Sequence, residues 1–201
     1  MVAGSKRRQV DSVQPLTWTK IENQLTVIDD PRAQCLIALL YLSGRRINEV
    51  LHLQKKDFKV EPNRISFETF NEKVYRKKPT GDFQIPRNGR YYERIHPHWR
   101  TDTDSGESLT VFLIQTLDSL PKPTDYLFPR LKGVGHIHCN MAYKIVRFYF
   151  PDAWPHLFRH ERFTEVAKAY QQDPVAMHRF TFHKRFESTL QYIRNLEEEK
   201  I

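Results

Sequence analysis

The chain has 201 residues, enough for one well-packed domain and on the large side for two. Its 32 Lys+Arg against 24 Asp+Glu give a formal charge of +8 at pH 7, which points to a polyanionic partner, nucleic acid first. Two cysteines, Cys35 and Cys139, exclude a disulfide scaffold and suit a reducing compartment, and no apolar run reaches the roughly 18 residues of a membrane span, so a soluble intracellular protein without a membrane partner is expected.

Residues 1–15 carry Lys6, Arg7, Arg8 and Pro15 without apolar periodicity and read as a basic tail or linker stub, leaving 16–201 as one folded domain. LTWTKIENQLTVI spaces Ile21, Leu25 and Ile28 for one helical face. Asp30 and Pro31 then supply an N-cap and a first-turn proline for a second helix, PRAQCLIALLYLS. That helix is apolar on most sides, so 35–42 is the expected centre of the core, and Gly44 is placed to end it. A short helix through INEVLHL follows.

From Arg64 to Arg87 the pattern turns to β: RISFETF is strand-like, KKPTGD is turn-rich and basic, and FQIP begins a returning strand, together a hairpin or small sheet. GRYYERIHPHW is ambiguous. TDTDSGES is a polar loop whose Ser108 is placed to cap the helix LTVFLIQTL, and a Pro/Gly-rich connector leads to the helix NMAYKIVRFYF. Pro155 starts HLFRHERFTEVAKAY, Asp173 and Pro174 open another helix, and FESTLQYIRNLEEE is the last. The expected fold is α+β, mainly α, with a small antiparallel sheet or hairpin.

Chemistry gathers near the C-terminus. His156 and Arg159 stand at i and i+3, where two side chains of a helix can converge on one ligand. His183 and Tyr192 follow, and Arg46 with Glu49 lies upstream in SGRRINEV. Guanidinium donors and imidazoles suit a phosphodiester, and a tyrosine hydroxyl is a competent nucleophile once its target phosphate is neutralised. Singly these residues have ordinary explanations: a capping histidine, a solvated arginine, a packing tyrosine, a helical ion pair. GHIHCN brings His136, His138 and Cys139 together like part of a metal site but offers no fourth ligand at a helpful spacing, so no metal or other cofactor is expected.

Taken in order, these features resemble the catalytic domain of the tyrosine recombinase (phage integrase) family over roughly residues 16–201. The carriers are Ser43, Gly44, Arg46 and Glu49, then a lysine-bearing hairpin, then His156, Arg159 and His160, and finally His183 and Tyr192 within HKRFESTLQY. Two positions depart from the family pattern, Phe182 in place of Gly and Arg45 in place of Leu.

The resemblance implies a helical domain that cleaves and rejoins DNA through a 3′-phosphotyrosyl link, with Tyr192 as nucleophile, Arg46 and Arg159 on the phosphate, His156 and His183 orienting it, and Lys78 as general acid. Lys73 and Lys77 compete with Lys78 for that last role. Glu49 and His160 would brace the arginines, and Arg45, Lys73, Lys77, Lys184 and Arg185 would contact double-stranded DNA. Four copies would assemble on DNA as a tetramer. The rival expectations are a non-catalytic DNA-binding or regulatory module of the same fold and a type IB topoisomerase-like relaxation of DNA.

Overall fold

A computed structural model describes residues 16–61, 64–70, 76–77, 83–84, 90–95, 104–169, 173–181, 186–190 and 193. The described elements are, in order, α1 (Trp18–Thr26), α2 (Pro31–Ser43), α3 (Ile47–Leu51), β1 (Phe58–Glu61), β2 (Arg64–Phe70), β3 (Arg76–Lys77), β4 (Phe83–Gln84), β5 (Arg90–Ile95), α4 (Asp104–Ser119), α5 (Cys139–Tyr149), α6 (Pro155–Ala169) and α7 (Pro174–Thr181). The mainly helical α+β class expected from the sequence is the one observed.

α2 is the hub, touching α1, α3, α4, α5 and α6. Asp30 accepts from Arg32 N at 2.9 Å at its start, and Pro31 occupies the first turn, where a missing N–H costs nothing. Every residue from Cys35 to Leu42 is buried, as the apolar run predicts. Burial pushes the Cys35 thiol up to about 12, a hydrogen bond from Thr116 opposing it. α1 lays Trp18, Ile21 and Leu25 against this core, with the Trp18 and Tyr41 rings 5.3 Å apart. Ile28 is buried as expected but lies beyond the end of α1.

The small antiparallel sheet is present, but its strand pairing differs from the one the sequence suggests. RISFETF does not pair with FQIP. β2 is the middle strand of a three-stranded antiparallel sheet, flanked by β1 and by β5 from the ambiguous GRYYERI stretch, while among the described residues β4 pairs with β3. β3 and β4 pair Arg76 with Gln84 and Lys77 with Phe83, and β2 pairs along both of its edges. Ile65, Phe67 and Thr69 alternate inward and are buried, and Phe58 stands opposite Phe67 with rings 5.3 Å apart.

α4 begins at Asp104, so Ser108 lies inside the helix instead of capping it. Below α3, the chain is clasped to the connector after α4. Lys55 N donates to Asp125 O at 3.0 Å, Leu127 N to Leu53 O at 3.1 Å, and Lys55 Nζ to Leu120 O at 2.7 Å. A second apolar cluster, Phe163, Val166, Ala167, Met177 and Phe180, joins α6 to α7. No described helix is long and apolar enough to cross a membrane.

Candidate phosphate and nucleophile site

The site is built around the turn between α2 and α3. Gly44 ends α2 in the left-handed region, φ 59, and its N–H returns to Leu40 O at 3.2 Å. A Cβ there would stand 2.8 Å from Phe163 Cε1, so glycine is needed both for backbone conformation and for the close approach of α6. Ser43 Oγ donates to Leu39 O at 2.6 Å and accepts from Arg45 N at 3.2 Å, which fixes the exit direction of the chain.

Arg46 stands immediately before α3, and Glu49 lies in the helix's first turn. The Glu49 carboxylate accepts from Arg46 N at 2.9 Å and from Arg46 Nη1 at 2.8 Å. Because Glu49 is buried, 1% exposed, its charge requires this double pairing. Arg46 keeps 16% of its side chain exposed.

α6 approaches the same turn. Proline at its first position and the face shared by i and i+3 residues put exposed His156 one turn before buried Arg159. Arg159 Nη1 donates to Gly44 O, two residues from Arg46, and Nη2 donates to Thr181 O at 3.3 Å; its guanidinium lies 4.1 Å from the Phe163 ring centre. His160 follows, half-buried. One turn on, Arg162 is also buried and pairs with Glu165, which accepts from Tyr41 OH at 3.2 Å.

Arg45 requires a correction. Its expected role is DNA contact, yet it is 4% exposed, and its Nη2 donates to Phe180 O at 3.3 Å. Phe180 and Thr181 close α7, and the last carbonyls of a helix have no intrahelical donor and carry the negative end of its dipole. Arg45 and Arg159 supply those donors. Arg45 is thus a buried partner of the end of α7 and not the exposed cation that the sequence suggests.

The structure thus brings Arg46, Glu49 and Arg159 together around Gly44. Lys77 lies in β3. Tyr192, His183, Lys184, Arg185, Phe182, Lys73 and Lys78 lie outside the described residues. Three residues absent from the sequence reading join the site at the end of α7. His178 Nδ1 is 3.0 Å from Thr189 Oγ1, and Thr189 Oγ1 is 3.2 Å from Thr181 Oγ1. The signal available for Thr189 is its place three residues before Tyr192; nothing local marks His178.

The GHIHCN histidines have structural work. His138 caps α5, its side chain accepting from Asn140 N at 3.2 Å. His136 Nδ1 donates to Ile137 O at 2.8 Å, while His136 Nε2 lies 3.2 Å from Nε2 of His52. Burial pulls the His136 imidazole below its ordinary value. The hydrogen bond to Ile137 O opposes that, and His52, Arg130 and His138 add to it by charge. Among the described residues no group of three or more His, Cys, Asp or Glu could hold a metal ion.

No family model and no curated protein matches this chain by sequence. Solved structures match it by fold. XerH site-specific recombinase, bound to palindromic difH substrate in a post-cleavage complex, superposes with a TM-score of 0.60 at 20% identity, covering 91% of this chain and 50% of that one. The Tn1549 transposon integrase in complex with circular intermediate DNA gives 0.59 at 21% identity, covering 93% and 66%. XerA recombinase gives 0.59 at 16%, covering 93% and 61%. The chain therefore spans about half to two thirds of the length of these chains, and it shares their fold.

Proposed function

We propose that this domain is the catalytic part of a site-specific DNA recombinase or integrase, cleaving and rejoining strands through a 3′-phosphotyrosyl intermediate without metal or ATP. The observation that carries the reading is that Arg159 donates to Gly44 O, two residues before Arg46, across 115 residues of sequence and within a fold shared with recombinases solved on DNA.

Two guanidiniums neutralise the non-bridging oxygens of the scissile phosphate and stabilise the charge of the pentacoordinate transition state, the task a metal performs elsewhere. Glu49 holds the Arg46 guanidinium in place beforehand, so less ordering is required at the moment of reaction. The Tyr192 oxygen forms a bond to phosphorus as the bond to the 5′ oxygen breaks, and Lys78 gives that oxygen its proton. His156 and His183 orient the phosphate. The phosphotyrosine retains the ester's bond energy, so a partner strand's 5′-hydroxyl reseals the link, and two such exchanges call for four protomers on DNA.

The burial of Arg159 on two carbonyls favours a second reading, a non-catalytic DNA-binding module in which that guanidinium only holds the end of α7. A nicked suicide substrate separates the two. The recombinase reading expects a covalent protein–DNA adduct that forms in EDTA and disappears in Tyr192→Phe while DNA binding persists. Binding with no adduct from the wild-type chain identifies the module, and a requirement for Mg²⁺ defeats the metal-free mechanism. Relaxation of supercoiled plasmid without strand exchange would instead mark a topoisomerase.

A further inference from the structure

Thr181 and Thr189 are both wholly buried, and buried hydroxyls must be paired. One proton assignment uses all three contacts. His178 Nδ1–H donates to Thr189 Oγ1 (3.0 Å), the Thr189 hydroxyl donates to Thr181 Oγ1 (3.2 Å), and the Thr181 hydroxyl donates to His178 O (3.5 Å). The result is a closed ring of hydrogen bonds between α7 and the turn at 186–190.

That turn is seated by a further contact. Phe186 sets its ring edge-on to His178 at 5.2 Å, and its carbonyl accepts from Thr189 N at 2.9 Å and Leu190 N at 3.1 Å. Thr181 therefore has two attachments. Its carbonyl accepts from Arg159, and its hydroxyl meets Thr189, three residues before Tyr192.

We propose that Thr181 and Thr189 are positioning residues: they tie residues 186–190, the stretch that leads in sequence to Tyr192, to the end of α7 that Arg159 holds. This inference rests on the roles given to Tyr192 and Arg159 above. Its physical basis is the steep dependence of an in-line displacement on geometry, in which a shift of about 1 Å costs on the order of 10²-fold in rate. Neither threonine touches the reacting atoms.

The test is single-turnover adduct formation on a nicked suicide DNA, with DNA affinity and thermal melting measured on the same preparations. Thr189→Val exchanges the hydroxyl for a methyl of similar volume. It should slow adduct formation by about 10-fold or more while the Kd for DNA stays within about 2-fold, and Thr189→Ser, which keeps the hydroxyl, should recover the rate to within about 3-fold of wild type. Thr189→Val cleaving at the wild-type rate, or Thr189→Ser as slow as Thr189→Val, overturns the proposal. If Thr189→Val does not fold, Thr181→Val, which removes the other end of the same bond and keeps the carbonyl on Arg159, is judged by the same thresholds. Tyr192→Phe keeps the two readings apart. Adduct in that variant sinks the nucleophile assignment and this inference with it, whereas adduct-free Tyr192→Phe beside fully active Thr189→Val sinks the positioning role alone.

Discussion

α2 and α6 pack against each other, yet what they bury differs. α2 buries ten of its 13 residues, nearly all apolar, and its stability follows from area removed from water. α6 buries Leu157, Phe158, Phe163, Val166 and Ala167, but also Arg159 and Arg162. A buried guanidinium costs several kcal/mol of desolvation unless acceptors surround it. Here the acceptors are Gly44 O, Thr181 O and Glu165. An aliphatic residue at Arg159 would fill the space with less expense, so the pair of helices separates what builds the fold from what the fold is built to hold.

The largest expected effect is on α6. Arg159→Lys keeps a cation but loses the planar fork, and should lower adduct formation on the order of 10²-fold or more while the domain stays folded and bound to DNA. Equal losses in binding and cleavage would return Arg159 to a structural role. On α2 the expectation inverts. Leu39→Ala opens a cavity in the fully buried centre and should cost about 2–5 kcal/mol in denaturant unfolding, while the folded fraction cleaves within about 2-fold of wild type. A cleavage defect exceeding the loss of folded protein would show that the hub helix also tunes the site.

The smallest effect concerns the connector. The folded-state value of His136 lies below its ordinary 6.5, so the fold favours the neutral ring. Its contribution is present above pH 6.5 and is lost as the pH falls through 6.5 toward the folded value. Thermal melts of the wild type and of His136→Asn from about pH 7 to about pH 5 should converge as acid removes the wild type's advantage. Parallel curves would mean that the imidazole is not held neutral.

The same contrast explains what could be read from the sequence. α2 was legible to the residue, because Asp30, Pro31 and Gly44 are local signals and a continuous apolar run has one reading. Arg46, Glu49, His156 and Arg159 were legible as candidates only through motif and order, since hydropathy places arginines at the surface. Arg45 shows the limit of that assumption: beside Arg46 it reads as a second surface cation, yet the open end of α7 draws it inside. Long-range pairing was the least accessible. The β2–β5 ladder and the His52–His136 contact, 84 residues apart in sequence, depend on how the connectors fold back.

The two cysteines differ in the same way, and the difference is useful at the bench. Cys139 is partly exposed at the start of α5, whereas Cys35 is sealed in α2 with its thiol pushed up to about 12. Since the thiolate is the reactive form, a maleimide or disulfide reagent meets one addressable sulfur in the folded domain and two after unfolding. A label on Cys139 therefore reports binding at a single defined point, and the slow appearance of the second labelled thiol counts the openings of the core itself.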